Sequence, residues 1–310
     1  MTTATAMFEA MIETFHFPVM HRQILHYLDA SNKKIVVDCT VGMGAHAGKL
    51  LEQMPAGSLL IGIDKDSDSL NLAREHLKQY ADRIKLVKSD FSAIDKVLSG
   101  LRIDMVDAFL FDLGVSTYQL GNARRGFSFL KEGPLDMRLD QDAFVSAYDL
   151  INNLSEKELA NIFRLFGEER YYKKIAQAIV TARRNEPIAT TTQFAEIVSN
   201  TIGSKYRLYK IHPATRTFQA LRIAVNRELL TLEAGLVKAI SLLRRGGRIA
   251  VISFHSLEDR IVKHTFREYA ARGLLRIITK KPQVPDDAEI SENSASRSAK
   301  LRVAEKCDIE

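Results

Sequence analysis

The sequence predicts an α/β chain: a doubly wound, Rossmann-like parallel sheet interrupted by an inserted all-helical domain. Three observations predict it. Ile35 to Cys39 is a short apolar, β-branched run closed by the glycine turn Gly42-Met43-Gly44 and a helix start. Leu59-Leu60-Ile61-Gly62-Ile63-Asp64 repeats the buried-strand pattern and ends in a carboxylate. Beyond Gly114 strand patterns give way to helical periodicities, and an apolar strand returns only at Arg248 to Phe254.

Gly42 and Gly44 carry no Cβ, so the chain can turn tightly there and bring bare backbone against a ligand. Asp64 follows about twenty residues later, where a doubly wound sheet sets a carboxylate beside a ribose diol. A third strand, Ile84 to Phe91, ends in Asp90 and Phe91, and a fourth, Val106 to Gly114, carries Asp112 near its end. Any one of these acids alone also fits an ordinary strand end or helix cap. Together they describe a pocket for a nucleoside-bearing cofactor. With Ala47 the turn satisfies the dinucleotide pattern Gly-x-Gly-x-x-Gly/Ala, so nicotinamide chemistry is one alternative. Several strands delivering polar groups to one edge suit S-adenosylmethionine better, because its amino-acid tail and adenosine need separate contacts and it has no pyrophosphate.

After Gly114 a Gly/Pro-bearing loop runs from Arg124 to Asp140. Ser155-Glu156-Lys157-Glu158 is a capping box, followed at helical spacing by Leu159, Ile162, Phe163 and Phe166 before Gly167 ends the helix. A second helix is expected from about Glu169 to Arg184, stopped by Pro187, and a third capped by Thr192. The insert therefore spans about 116–213, leaving 1–115 and 214–310 as a split domain. Phe218, Leu221, Val225, Leu229 and Leu232 mark one long amphipathic helix, and Gly246-Gly247 leads into the strand Arg248 to Phe254. Residues 282–300 read as a loose segment before the basic Lys300-Leu301-Arg302.

Composition narrows the partners. Of 310 residues, 46% are hydrophobic and 26% charged, which is ordinary for a globular chain with a full core. The net charge of +6 favours polyanionic partners. Its distribution is more informative: Lys205, Arg207, Lys210, Arg216, Arg222 and Arg227 cluster with no acid, and residues 260–281 hold seven Lys or Arg against Glu268 alone. Such clusters grip phosphates or form solvated helix faces. Cys39 and Cys307 have no paired spacing, so a disulfide framework is not expected. The first twenty residues hold no Lys or Arg and no apolar run approaches a membrane span, which points to a cytoplasmic protein with no membrane partner. His16, His21 and His26 scatter around a helix, no His or Cys spacing fits a metal site, and no metal is expected.

Seven blocks make the reading specific. They are Asp112 to Ser116, Arg125 to Phe129, Gly133 to Arg138, Gly167 to Arg170, His212 to Arg222, Ile252 to Lys263 and Arg297 to Lys306, preceded by His16 to Val19. In this order they resemble the signature blocks of the bacterial ribosomal RNA small subunit methyltransferase H family, also called MraW. The resemblance implies a class I S-adenosylmethionine-dependent methyltransferase fold whose inserted helical domain recognises substrate. It also implies methylation of cytosine N4 in 16S rRNA, in the decoding centre of the small ribosomal subunit.

Carried over by position, the resemblance sets Gly44, Ala45 and His46 at the methionine end of the cofactor, Asp64 at the ribose and Phe91 against the adenine, with Asp90 near the adenine amine. Asp112 serves both cofactor positioning and catalysis, and Gln119 is a further cofactor contact. Ala45 stands where the family usually has Gly, and Thr117-Tyr118 where it usually has Ser-Pro. Tyr118, Phe127 and Phe129 either stack on an unpaired base or anchor their loop. Arg124, Arg125, Arg138, Arg216 and Arg222 are candidate phosphate contacts, and His255 and Glu258 candidates for the same opening. A nicotinamide-dependent oxidoreductase and a non-catalytic RNA-binding or ribosome-assembly module remain the competing readings.

Overall fold

A computed structural model describes residues 18–203 and 211–307; His16, Lys205, Arg207 and Lys210 lie outside them. The chain divides into two compact units, Met1–Gly114 with Leu229–Glu310, and Val115–Glu228.

The first unit is built on a seven-stranded sheet: β1 (Ile35–Asp38), β2 (Leu59–Asp64), β3 (Ile84–Lys88), β4 (Val106–Asp112), β5 (Leu243–Ser253), β6 (Leu275–Ile277) and β7 (Lys300–Lys306). Its order is β3-β2-β1-β4-β5-β7-β6, with β1 to β5 parallel and β7 antiparallel to both neighbours. This is a doubly wound, Rossmann-like sheet, as the sequence predicts, with β7 inserted antiparallel beside β5. The order reverses between β1 and β4, and the crevice at the carboxyl ends of those two strands is where such sheets bind ligands.

Strand periodicity explains the layers. Val36, Leu60, Ala108, Leu110, Ala250 and Ile252 point into one apolar cluster, and their neighbours Val37, Ile61, Phe109, Phe111, Ile249 and Val251 point into the other. The first cluster is closed by helices α1 (His21–Leu28), α2 (Ala45–Gln53) and α3 (Ser67–His76), through Ile24, Leu28, Leu50, Leu51 and Leu70. The second is closed by α4 (Ile94–Gly100), a helix at Glu228–Leu242 and another at Ser256–Ala271, through Leu98, Leu232, Leu236, Val262 and Phe266. Phe109 and Phe111 are fully buried; truncating either to Ala costs about 3–5 kcal/mol.

The second unit is helical: α5 (Thr117–Gly121), α6 (Ala147–Asn153), α7 (Glu156–Gly167), α8 (Tyr172–Ala182), α9 (Thr191–Ile202) and α10 (Thr215–Asn226). Phe163, Ile179, Phe194, Val198, Phe218 and Leu221 form its core. Ser155 and Glu158 cap α7 reciprocally, as the capping box requires. Gly167 lets α10 approach closely, since a Cβ there would stand 2.7 Å from the Arg216 carbonyl. This packing makes α10 part of the helical unit, which extends through Glu228 beyond the expected edge at 213.

Three local expectations are corrected. The single helix expected through Phe218 and Leu232 is two, α10 and α11 (Glu228–Leu242), parted by Arg227 in the left-handed region at φ 52. Thr190, not Thr192, caps α9, because Gln193 completes a reciprocal box with it. The segment 282–300 is ordered, with α13 (Asp287–Glu292) following α12 (Ser256–Ala271), and Lys300-Leu301-Arg302 opens β7.

Candidate active site

The carboxyl edge of the sheet collects polar groups from four consecutive strands. After β1 the chain turns through Gly42 (φ 52) and Gly44 (φ 88), left-handed conformations that glycine adopts without strain. The turn is tied to the sheet by Cys39 N–H to the Leu110 carbonyl at 2.8 Å and Val41 N–H to the Ile63 carbonyl at 2.9 Å. Gly44 is the N-cap of α2 and offers no side-chain cap. The first-turn amides of Ala45 and His46 therefore have no acceptor within the helix, the arrangement that receives a carboxylate. The Gly44 N–H itself closes the turn on the Val41 carbonyl at 2.8 Å.

Asp64 ends β2 and stiffens this turn. Its Oδ2 accepts the Gly42 N–H and its Oδ1 the Asp66 N–H, both at 2.9 Å. Burial pushes its carboxyl up to about 6 against these two hydrogen bonds, which pull it down. Beyond β3, Asp90 accepts from the Ser92 N–H at 2.7 Å and pairs with Lys65 at 2.6 Å. Burial opposes its ionisation, yet Lys65 and Ser92 hold the carboxyl below the ordinary range. The Phe91 ring packs edge-on to Phe111 at 5.4 Å. It also adjoins Gly235 of α11, where a Cβ would stand 2.7 Å from Phe91 Cδ2.

Asp112 ends β4, on the far side of the reversal from β1. Its backbone N–H is held by Thr40 Oγ1 at 2.7 Å, which joins the ends of the two strands. Its Oδ2 lies 3.4 Å from His46 Nδ1, and its Oδ1 is buried with no hydrogen-bond partner. Burial, reinforced by the Glu258 charge, raises its carboxyl to about 7. Asp38, at the end of β1, was missed as a site residue although its position at the strand end was its signal. It is 1% exposed, its Oδ2 is likewise orphaned, and burial raises it to about 7 with Asp112 and Asp64 adding to the rise. Two orphaned carboxylate oxygens and an open glycine turn fit a ligand that brings both hydrogen-bond donors and positive charge.

His46 stands in the first turn of α2, beside Gly44 and Ala45. Its ring is buried and its Nε2 lies 2.8 Å from the Val19 carbonyl. Burial lowers its pKa, with Asp38 and the Val19 hydrogen bond acting the other way.

Gln119 lies in the helical unit. Its Oε1 accepts the Ser116 N–H at 2.9 Å and its own N–H goes to Ser116 Oγ, the two halves of a capping box on α5. Several expected RNA contacts there are internal supports. Arg125 is 4% exposed and donates to the Arg138 and Leu139 carbonyls. Arg138 pairs with Asp136, Arg222 with Glu228, and Arg216 donates to the Glu168 carbonyl. Arg124 is exposed and Tyr118 half-buried. Phe127 is buried, and Phe129 stacks on His212 at 4.4 Å and meets Phe218 edge-on, so both rings anchor the loop. In the first unit His255 and Glu258 form the capping box of α12.

Comparison with known proteins identifies the family of this chain. A family model described as the MraW methylase family matches residues 13–307. The ribosomal RNA small subunit methyltransferase H of Sulfurihydrogenibium sp. (strain YO3AOP1) is 50% identical over 288 residues, covering 93% of this chain and 98% of its own. Its namesake from Thermotoga neapolitana is 51% identical over 294 residues, covering 94% and 96%.

Proposed function

Because the chain belongs to the MraW methylase family, we propose that it transfers a methyl group from S-adenosylmethionine to the exocyclic N4 of a cytosine in the decoding centre of 16S rRNA. Small-subunit rRNA methylation is what its relatives are named for, over nearly their whole length. Neither a nicotinamide oxidoreductase nor a non-catalytic assembly module accounts for that match together with the four carboxyls at the sheet edge. The partner in this reading is the small ribosomal subunit, met in the cytoplasm. No helix among the described residues is long and apolar enough to cross a membrane.

The residues fit the cofactor in kind. The amides of Ala45 and His46 suit its carboxylate, Asp64 its ribose hydroxyls and Phe91 its adenine face. Asp38, Asp64 and Asp112 supply negative charge for a cationic ligand. When bound, S-adenosylmethionine supplies a methyl group on a positively charged sulfur, which keeps the bonding pair as the methyl leaves.

The observation that carries the proposal is the unpartnered Oδ1 of Asp112 at the point where the sheet reverses. The cytosine N4 lone pair is delocalised into its ring. An acceptor on an amino hydrogen localises that pair for attack on the methyl carbon. Once N4 has gained the methyl it holds an extra positive charge, and Asp112 Oδ1 takes one of its protons while the N–H pair returns to nitrogen. General-base help of this kind is worth roughly 10²–10⁴-fold, and alignment in a dry site contributes roughly 7–11 kcal/mol.

Purified protein incubated with methyl-labelled S-adenosylmethionine and unmodified small subunits tests this. After nuclease digestion, label on cytosine N4 of 16S rRNA is the expected result. Label on a ribose, on cytosine C5 or on protein overturns it.

A further inference from the structure

The buried imidazole of His46 has no part in the contacts so far proposed, and its geometry sets its proton count. The Val19 carbonyl only accepts hydrogen bonds, so His46 Nε2, 2.8 Å away, carries a hydrogen. That leaves Nδ1 facing Asp112 Oδ2 at 3.4 Å. A bare Nδ1 and a bare carboxylate oxygen would set two lone pairs against each other. One proton between them turns that repulsion into attraction, whether it sits on Nδ1 or on Oδ2.

We propose that His46 is a positioning residue for Asp112: the pair shares one proton between Nδ1 and Oδ2, which fixes the carboxyl and leaves Oδ1 as the accepting atom. The proposal rests on the reading of Asp112 as the proton acceptor. When a second proton arrives at Oδ1 the pair becomes an imidazolium and a carboxylic acid, wherever the first proton began. A proton starting on Oδ2 passes to Nδ1 as the new one binds, and one proton then leaves to solvent. No electron pair changes hands beyond those of the proton transfers.

Burial, the largest influence on His46, works against an imidazolium, and the neighbouring acids and the Val19 carbonyl work for one. Asp38 of β1 and Glu289 of α13 both raise the His46 pKa, and the charge of His46 in turn lowers that of the partly buried His21 of α1. Around Asp112 stand Asp38 and Glu258, with Asp64 beyond Asp38. The segment bearing Val19 is itself anchored, since the Met20 N–H donates to Glu289 Oε1.

The test reads the free protein first. Nitrogen-15 NMR of histidine-labelled protein follows the two ring nitrogens of His46 from about pH 5.5 to pH 9, in the wild type and in Asp112→Asn, which keeps size and fold. Nε2 is expected to stay protonated throughout, and the Nδ1 midpoint to fall by one pH unit or more when the carboxylate is removed. An unchanged midpoint overturns the pairing, whatever the enzyme's activity. The second arm measures methyl transfer to small subunits by His46→Asn across the same range. A displaced acid limb with cofactor Kd within twofold supports the positioning role, and a wild-type profile contradicts it. Absence of methyl transfer by the wild type would count against the proposed reaction, and the NMR arm would still decide the pair.

Discussion

Gly42 donates its backbone N–H to the Asp64 carboxylate at 2.9 Å, so the turn after the first strand and the acid ending the second behave as one part. In the proposed reading Asp64→Ala removes an acceptor for the ribose, and it frees the turn that presents the first-turn amides of α2. The loss of hydrogen bonds to a charged group costs about 1–3 kcal/mol, which is roughly ten- to hundredfold in Kd for S-adenosylmethionine. The sheet does not depend on it, so circular dichroism should be unchanged. Calorimetry showing wild-type affinity would remove Asp64 from the pocket.

The raised carboxyls make stability and binding respond to pH in opposite senses. Burial raises Asp38 from 3.8 to about 7, so the folded state holds its proton more tightly than the unfolded chain does. Its contribution to stability is therefore most favourable below the unfolded value and declines as pH rises toward about 7. Asp38→Asn removes that decline. Its thermal midpoint should exceed the wild-type value by more at high pH than at low pH, and a constant difference would refute the assignment. A cationic cofactor among these groups favours their ionised forms, so its affinity should rise with pH and its binding release protons to buffer.

Gly235 leaves room for Phe91, with 2.7 Å between a Cβ built there and the ring. Gly235→Ala gains about 1 kcal/mol of helix propensity and loses about 1–3 kcal/mol to overpacking. The ring must move, and cofactor affinity should fall several-fold. In a double-mutant cycle with Phe91→Ala the two losses should not add. Full additivity would mean that Gly235 does not act through the ring.

Arg125 lies in one of the blocks that identify the family, and the structure makes it a support of the helical unit. Arg125→Ala leaves the Arg138 and Leu139 carbonyls without their donor, a loss of about 1–3 kcal/mol. Its thermal midpoint should drop, while the salt dependence of RNA binding keeps its slope. A slope reduced by about one would make it a phosphate contact instead.

The sheet edge was legible because its signals are local. Glycine turns, a carboxylate after each apolar run and the Ser155 capping box all depend on neighbouring residues. Asp38 was read only as part of a strand, because its orphaned oxygen is created by the packing of β1 against β4. The contact that holds the His46 ring is not legible locally, because Val19 is distant in sequence. The arginines illustrate the same limit: charge shows in the sequence, whereas the carbonyls or acids that consume it are set by tertiary structure. The helix break at Arg227 is not legible, because the amphipathic pattern runs through it without a glycine or proline to mark it.

Most direct is the rate of a single methyl transfer to unmodified small subunits, for wild type and Asp112→Asn, with both proteins saturated with labelled S-adenosylmethionine. The expected result is a fall in rate of roughly 10²–10⁴-fold with label still confined to cytosine N4 and cofactor affinity within a few-fold of wild type. A variant that transfers the methyl as fast as the wild type would contradict the role of Asp112 at the reversal of the sheet.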